Sequence, residues 1–179
     1  MIAGSLARRY ARAIFDLGTA KGNLEQLARE LEGLAANYSA SRELAEALTN
    51  PVFPRSQRRA VLEAVVQRVA VTPTTRNFVL LLHDRERIQY LPAIARELRV
   101  MVDEKAGRVR AQVTGARPVA PEHGAKIRSA LEQATGKTVV LETKQDPEIL
   151  GGIVAQVGDV VYDGSIRTQL ELLRERALA

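Results

Sequence analysis

No cysteine occurs among the 179 residues, which excludes disulfide staples, thiolate metal sites and cysteine nucleophiles and fits a reducing compartment. Tryptophan is also missing and aromatics make up only 4%, poor equipment for stacking nucleobases or sugars. Histidine is almost absent. His83 and His123 stand far apart in the chain, so a histidine-rich metal cage is not expected and triad chemistry has few candidates. The longest aliphatic or aromatic run is Phe78-Val79-Leu80-Leu81-Leu82, far short of the ~20 residues that cross a bilayer. No hydrophobic segment follows Arg8 and Arg9, so no export signal is expected.

What is present is an average globular mixture, 46% hydrophobic and 26% charged. A chain of this length typically buries about 70% of its unfolded surface, enough for one ordinary domain or two small ones. A soluble protein is expected. The net charge of +5 raises the question of anionic partners. However, the cations are scattered among carboxylates, and the densest cluster, Arg55, Arg58 and Arg59, has no interleaved aromatics. No nucleic-acid partner is expected.

Residues 1–105 carry helical periodicity throughout. Leu24, Leu27, Leu31, Leu34 and Tyr38 form one stripe, and Asn23 with Gln26 three positions on resembles a capping box. Leu44 and Leu48 lie on a short helix ended by Asn50-Pro51, because the residue before proline is pushed out of the α region. Val61, Leu62, Val65, Val66 and Val69 follow. Thr72-Pro73 then supplies an N-cap and an N1 proline for a helix carrying Phe78, Leu81 and Leu82. Leu91, Ile94, Leu98, Met101 and Val102 continue the pattern as far as Gly107, a helix-ending C′ residue. About six helices with short connections predict an all-α bundle.

Beyond Gly107 the period changes. Val109, Ala111 and Val113 alternate with polar residues, as in a half-buried strand. Pro121 to Ala134 predicts a helix with Ile127, Ala130, Leu131 and Ala134 on one face, stopped by Gly136. Val139 to Thr143 is strand-like. Ile153–Val157 and Val160–Tyr162 flank Gly158-Asp159, a two-residue hairpin in which Gly supplies the positive φ. Ser165 caps a predicted last helix with Ile166, Leu170, Leu173 and Ala177 on one side. The fold class is therefore an N-terminal all-α six-helix bundle, 1–105, followed by a small α+β C-terminal domain, 106–179.

Candidate chemistry is sparse. Gly136-Lys137-Thr138 resembles the end of a phosphate-binding loop, but Leu131 stands where the first glycine belongs and the order is helix then strand. Gly151-Gly152 marks close backbone packing or a bulge rather than a ligand cradle. Asp163-Gly164-Ser165 lacks a nucleophile elbow and a neighbouring histidine, leaving a turn and an N-cap. Asp146, Glu148, Asp159 and Asp163 all fall at predicted turns or strand ends, where solvated carboxylates are common. No catalytic residue, cofactor or metal site is expected. The rivals considered are a nucleic-acid-binding bundle and a small enzyme built around Gly151-Gly152.

The first helix is more informative. At 100° per residue, Leu6, Ala7, Tyr10, Ala11, Ala13, Ile14, Phe15 and Leu17 sweep an apolar arc wider than half the circumference, leaving a narrow strip of Arg8, Arg9, Arg12 and Asp16. Either the helix is central in the bundle, or part of the arc docks another protein's helix.

In order and spacing, the chain resembles the delta subunit of bacterial F-type ATP synthase, the relative of the mitochondrial oligomycin-sensitivity-conferring protein. The likeness spans nearly the full length. It lies in Ala7 to Phe15, Leu48-Thr49-Asn50-Pro51, Arg76-Asn77-Phe78, Leu91-Pro92-Ala93-Ile94, and above all Asp146 to Ile153 leading to Asp163-Gly164-Ser165. Ala120 departs from a common hydroxyl N-cap, and Tyr162 from an aliphatic residue.

The resemblance implies a non-catalytic stator subunit at the cytoplasmic face of the bacterial plasma membrane, peripheral to it and present once per complex. It would link the alpha subunits of the catalytic head to the b subunits of the membrane sector during proton-driven ATP synthesis. The alpha N-terminal segment would lie in a groove formed by Tyr10, Ala13, Ile14 and Leu17 with Phe78 and Leu82. The family motif of the C-terminal domain is carried by Gly151, Gly152, Asp163, Gly164 and Ser165, and that domain would meet the b subunits. No nucleic acid and no membrane insertion are implied.

Overall fold

The computed structural model describes residues 2–116, 120–146, 149, 151–158, 160–166, 168 and 170. The chain divides into two compact units, Met1–Val102 and Asp103–Ala179. The first comprises helices α1 (Ile2–Lys21), α2 (Leu24–Ala40), α3 (Arg42–Thr49), α4 (Arg55–Val69), α5 (Pro73–Asp84), a short 3-10 turn (Ile88–Tyr90) and most of α6 (Leu91–Lys105).

Local chemistry sets these boundaries. The Ser41 hydroxyl accepts from the Leu44 N–H and starts α3, which stops where Asn50 turns extended before Pro51. The Thr72 hydroxyl accepts from the Thr75 N–H ahead of Pro73. Asn23 occupies the N-cap position of α2, but its side chain makes no capping bond. Its backbone, at φ −121° and ψ 23°, is outside the extended region from which a capping side chain reaches back. Gln26 accordingly turns to Glu30, at 2.9 Å.

Ile14, Leu27, Leu31, Val79, Leu82, Ile94 and Leu98 are fully buried at the centre of this unit. Two polar ties fix α2 to its neighbours. The Glu30 carboxylate accepts from the Thr72 N–H (3.1 Å), the Thr72 hydroxyl (2.7 Å) and the buried Thr75 hydroxyl (2.5 Å). Arg99 of α6 grips Glu32 at 2.7 Å and Glu25 at 2.9 Å.

The second unit holds β1 (Arg108–Gly115), α7 (Pro121–Thr135), β2 (Thr138–Gln145), β3 (Ile153–Val157) and β4 (Val160–Asp163) in one sheet of order β2-β1-β3-β4. β1 and β2 are parallel and joined through α7, as a parallel pair requires a crossover. β1 pairs antiparallel with β3, and β3 with β4. Val157 opposes Val160 across the hairpin, where Gly158 has φ +59° and Asp159 lies outside the described residues.

Ala111, Leu131, Val139 and Val157 form the small core, with Val109, Ile127 and Leu141 packed on it. The face of α7 turned inward is Gly124, Ile127 and Leu131, while Ala130 and Ala134 are exposed. Alanine contributes too little apolar surface to dictate which side a helix buries. Ala120 precedes α7 without a side-chain capping bond, and Gly136 ends it in the left-handed region. Within the same unit, buried Asp103 holds Arg108 at 3.2 Å and Arg110 at 2.7 Å. Leu173 and Ala177 of the predicted last helix lie outside the described residues.

Candidate docking groove

α1 and α5 lie side by side in opposite senses: Lys21 Nζ donates to Thr74 Oγ1 at 3.0 Å near one end, and Tyr10 meets Phe78 further along. α1 buries Leu6, Ala7, Ala11, Ile14 and Gly18, a stripe much narrower than its apolar arc. Leu17 is left 48% exposed. On α5, Phe78, Val79, Leu80 and Leu82 are buried, whereas Leu81 is 45% exposed. Between the two helices runs a groove of about 330 Å³, lined by Ile14, Leu17 and Lys21 from α1 and by Pro73, Thr74, Asn77, Phe78 and Leu81 from α5. Thr74, Asn77, Phe78 and Leu81 repeat at i, i+3, i+4 and i+7, the spacing of a single helix face.

Of the sequence-predicted groove residues, Ile14, Leu17 and Phe78 line it. Leu82 does not: it is fully buried in the core, one helical step of 100° from Leu81, which lines the groove in its place. Ala13 is exposed on α1 but outside the lining. Tyr10 stands behind the wall and is half-buried. Its hydroxyl accepts from Arg87 Nη1 at 2.6 Å, and the guanidinium carbon lies 5.6 Å from the ring centroid. Leu81, Asn77 and Thr74 also line the groove and are reached by continuing the i, i+3, i+4, i+7 stripe through Phe78 on α5, and Lys21 by continuing Ile14 and Leu17 to i+7 on α1.

The second unit brings its motif residues together through backbone. The Gly164 N–H donates to the Ile153 carbonyl at 2.9 Å and the Ile166 N–H to the Gly151 carbonyl at 3.0 Å. Gly152 has φ +82°, and a Cβ there would fall 2.3 Å from the Gly164 carbonyl oxygen. The Asp163 carboxylate accepts from the Ser165 N–H and the Thr168 hydroxyl, both at 2.8 Å. Led by that backbone bond, these contacts hold Asp163 below the usual carboxylate range. Ser165 Oγ accepts from the Thr168 N–H at 3.3 Å. This is turn and cap chemistry.

Elsewhere, Lys137 and Thr138 are exposed at the start of β2 and form no phosphate cradle. His83 is buried and His123 exposed. Asp146 is half-buried, and Glu148 and Asp159 lie outside the described residues. Among the described residues no group of three or more His, Asp or Glu could hold a metal ion, and no helix is long and apolar enough to cross a membrane.

The family model for the ATP synthase delta (OSCP) subunit matches residues 6–177. A protein named ATP synthase subunit delta from Anaeromyxobacter sp. (strain Fw109-5) is 47% identical over 176 residues, covering 98% of each chain. Another of that name, from Myxococcus xanthus (strain DK1622), is 45% identical over 176 residues and 97% of each. Among solved structures, a chain of the Toxoplasma gondii mitochondrial ATP synthase hexamer shares the fold, with a TM-score of 0.75 at 24% identity over 97% of this chain and 98% of that one.

Proposed function

The chain belongs to the ATP synthase delta (OSCP) subunit family, and from that membership we propose that its α1–α5 groove fastens the N-terminal segment of an alpha subunit while its second unit meets the b subunits. As a member it is a peripheral-stalk subunit of F-type ATP synthase without an active site of its own. Its work is mechanical. A stator keeps the catalytic head from turning with the rotor, so binding strength rather than bond-making chemistry is what the fold must supply.

The observation that carries the docking proposal is the pair Leu17 and Leu81, each nearly half exposed on facing walls of one apolar groove. A partner helix laid there inserts side chains at i, i+3, i+4 and i+7 and removes both leucines from water. We place the protein at the cytoplasmic face of the plasma membrane, one copy per complex, with residues 1–105 and 106–179 as its two functional parts. Pull-down from membranes with the tagged chain tests the assembly: recovery of alpha and b subunits supports it, and recovery of neither overturns it. Calorimetric titration with a synthetic alpha N-terminal peptide tests the groove, because Leu17→Ser with Leu81→Ser should weaken binding more than about tenfold.

A further inference from the structure

Leu81 lines a second cavity as well as the groove. Beyond it, at the C-terminal end of α5, lies an opening of about 620 Å³ bounded by Arg55, Ser56 and Arg59 of α4 and by Asp84 and Arg85. We propose that the apolar groove and this basic pocket are one continuous site, and that the pocket takes carboxylate side chains at one end of the docked protein segment. The inference rests on the docking proposal above and adds the chemistry and direction of the occupant.

The charge balance at the pocket is three guanidinium groups to one carboxylate. Asp84 is shared: Arg59 Nη1 lies 3.2 Å from its carboxylate and Arg55 Nη2 lies 3.4 Å from it, and Arg55 also donates to the Asp84 carbonyl oxygen. Arg59 additionally pairs with Glu63 at 3.2 Å. Arg85 is exposed and makes no ion pair among the described residues. With five N–H donors on each guanidinium, Asp84 and Glu63 together leave donors of the three arginines that line the opening unused. Arginine suits planar carboxylates because its fork binds both oxygens at once.

Continuity through Leu81 selects a protein segment over a free anion. From Thr74 to Leu81 is two helical turns, about 10 Å at 1.5 Å per residue. An occupant with its apolar stripe over that floor carries side chains of the next turn into the arginine pocket. The occupant is therefore an amphipathic helix with Asp or Glu about one turn past its last apolar anchor, on the side of Leu81.

The test uses the full chain and two synthetic peptides: the alpha N-terminal segment, and the same peptide with every Asp and Glu replaced by Asn and Gln. Calorimetry should show Arg55→Gln with Arg85→Gln binding the native peptide about tenfold more weakly than wild type, and binding the amidated peptide about as well as wild type does. Affinity for the native peptide should also fall between about 50 mM and about 500 mM salt. Arg85→Gln alone breaks no internal ion pair, so its smaller loss in the same direction guards against misfolding of the double variant. If Leu81→Ser abolishes binding while the arginine changes do nothing, the groove stands and the basic extension is overturned. If neither change matters, or only the arginine change does, docking in the groove and its extension are both overturned.

Discussion

The rings of Tyr10 and Phe78 meet edge to face, with centroids 6.3 Å apart and planes at 66°. Tyr10 is itself held by Arg87, which donates to its hydroxyl and lies over its ring. The aromatic wall of the groove is therefore braced: Tyr10 packs against Phe78, and Phe78 lines the groove. Such ring pairs contribute about 0.5–1.5 kcal/mol beyond the area they bury.

Tyr10→Phe keeps the brace and should leave affinity for the alpha peptide within about twofold, while losing about 1 kcal/mol of stability with the Arg87 hydrogen bond. Tyr10→Ala removes the ring and should cost more than that in stability and weaken docking as well. Thermal unfolding and peptide titration measured on both variants separate these effects. Equal affinity for wild type and Tyr10→Ala would show that Phe78 needs no support.

Two adjacent leucines should respond in opposite ways. Leu82→Ala opens a cavity in the core and should lower stability by about 2–5 kcal/mol. Leu81→Ala alters an exposed side chain, so stability should change by no more than about 0.5 kcal/mol while peptide affinity drops. Urea titration followed by calorimetry decides; a destabilised Leu81→Ala would place that residue in the core.

Glu30 makes stability depend on acid. Burial alone would raise its carboxyl, but the hydroxyls of Thr75 and Thr72, the Thr72 N–H and the Gln26 amide together hold it below 4.5. The unfolded chain therefore takes up this proton more readily than the folded one. The contribution is complete above about pH 4.5 and is lost as pH falls through the lower folded value. Glu30→Gln should remove this acid-side loss and lower neutral-pH stability by about 1–3 kcal/mol, since buried Thr75 loses its charged acceptor. Wild-type and variant unfolding curves that stay parallel from pH 6 to pH 3 would assign the acid sensitivity to other carboxylates.

What the sequence disclosed depended on whether the deciding interaction was local. The helix start at Thr72-Pro73 and the stop at Gly136 follow from residues within one turn, and both were legible. Asn23 was misread because a capping box requires a particular backbone angle as well as a residue type. Phe78 to Leu82 is apolar at every position, so periodicity could not say whether Leu81 or Leu82 faces outward; packing of α5 against α1 and α2 decides that. The parallel pairing of β1 with β2 and the meeting of Gly152 with Gly164 are set by tertiary contacts that no single segment encodes.

At Gly152 the left-handed backbone and the nearby Gly164 carbonyl act together. Gly152→Ala would place a Cβ 2.3 Å from that oxygen at φ +82°, so the strain and the clash add. A loss of about 1–3 kcal/mol in the second unit is expected from the backbone conformation alone. Amide exchange should show the β3–β4 hairpin losing protection while α1 to α5 keep theirs. Unchanged protection would mean that the segment shifts at little cost.

His83 is 3% exposed, and neither of its ring nitrogens is hydrogen-bonded. Burial is the largest influence and drives its pKa below 6.5. Asp84, whose Oδ1 lies 3.6 Å from Nδ1, opposes that shift, while the positive charges of Arg58 and Arg55 reinforce it. The ring is therefore kept neutral where the unfolded chain would take up a proton. For a base with a lowered folded pKa the unfolded state binds more protons in that window, so stability is complete above about pH 6.5, falls as pH drops below it, and levels off under the folded value. The upper edge of this window lies above that of Glu30, so a loss between pH 6.5 and pH 4.5 is not due to Glu30. His83→Gln cannot titrate, and its stability should vary less than that of wild type between pH 7.5 and pH 5.5. The variant should be the less stable protein at the upper pH if its amide packs poorly, yet close the gap at the lower one. Urea unfolding at both pH values gives the comparison directly, and a stability difference that is the same at pH 7.5 and pH 5.5 would mean that His83 does not protonate differently in the folded and unfolded chain.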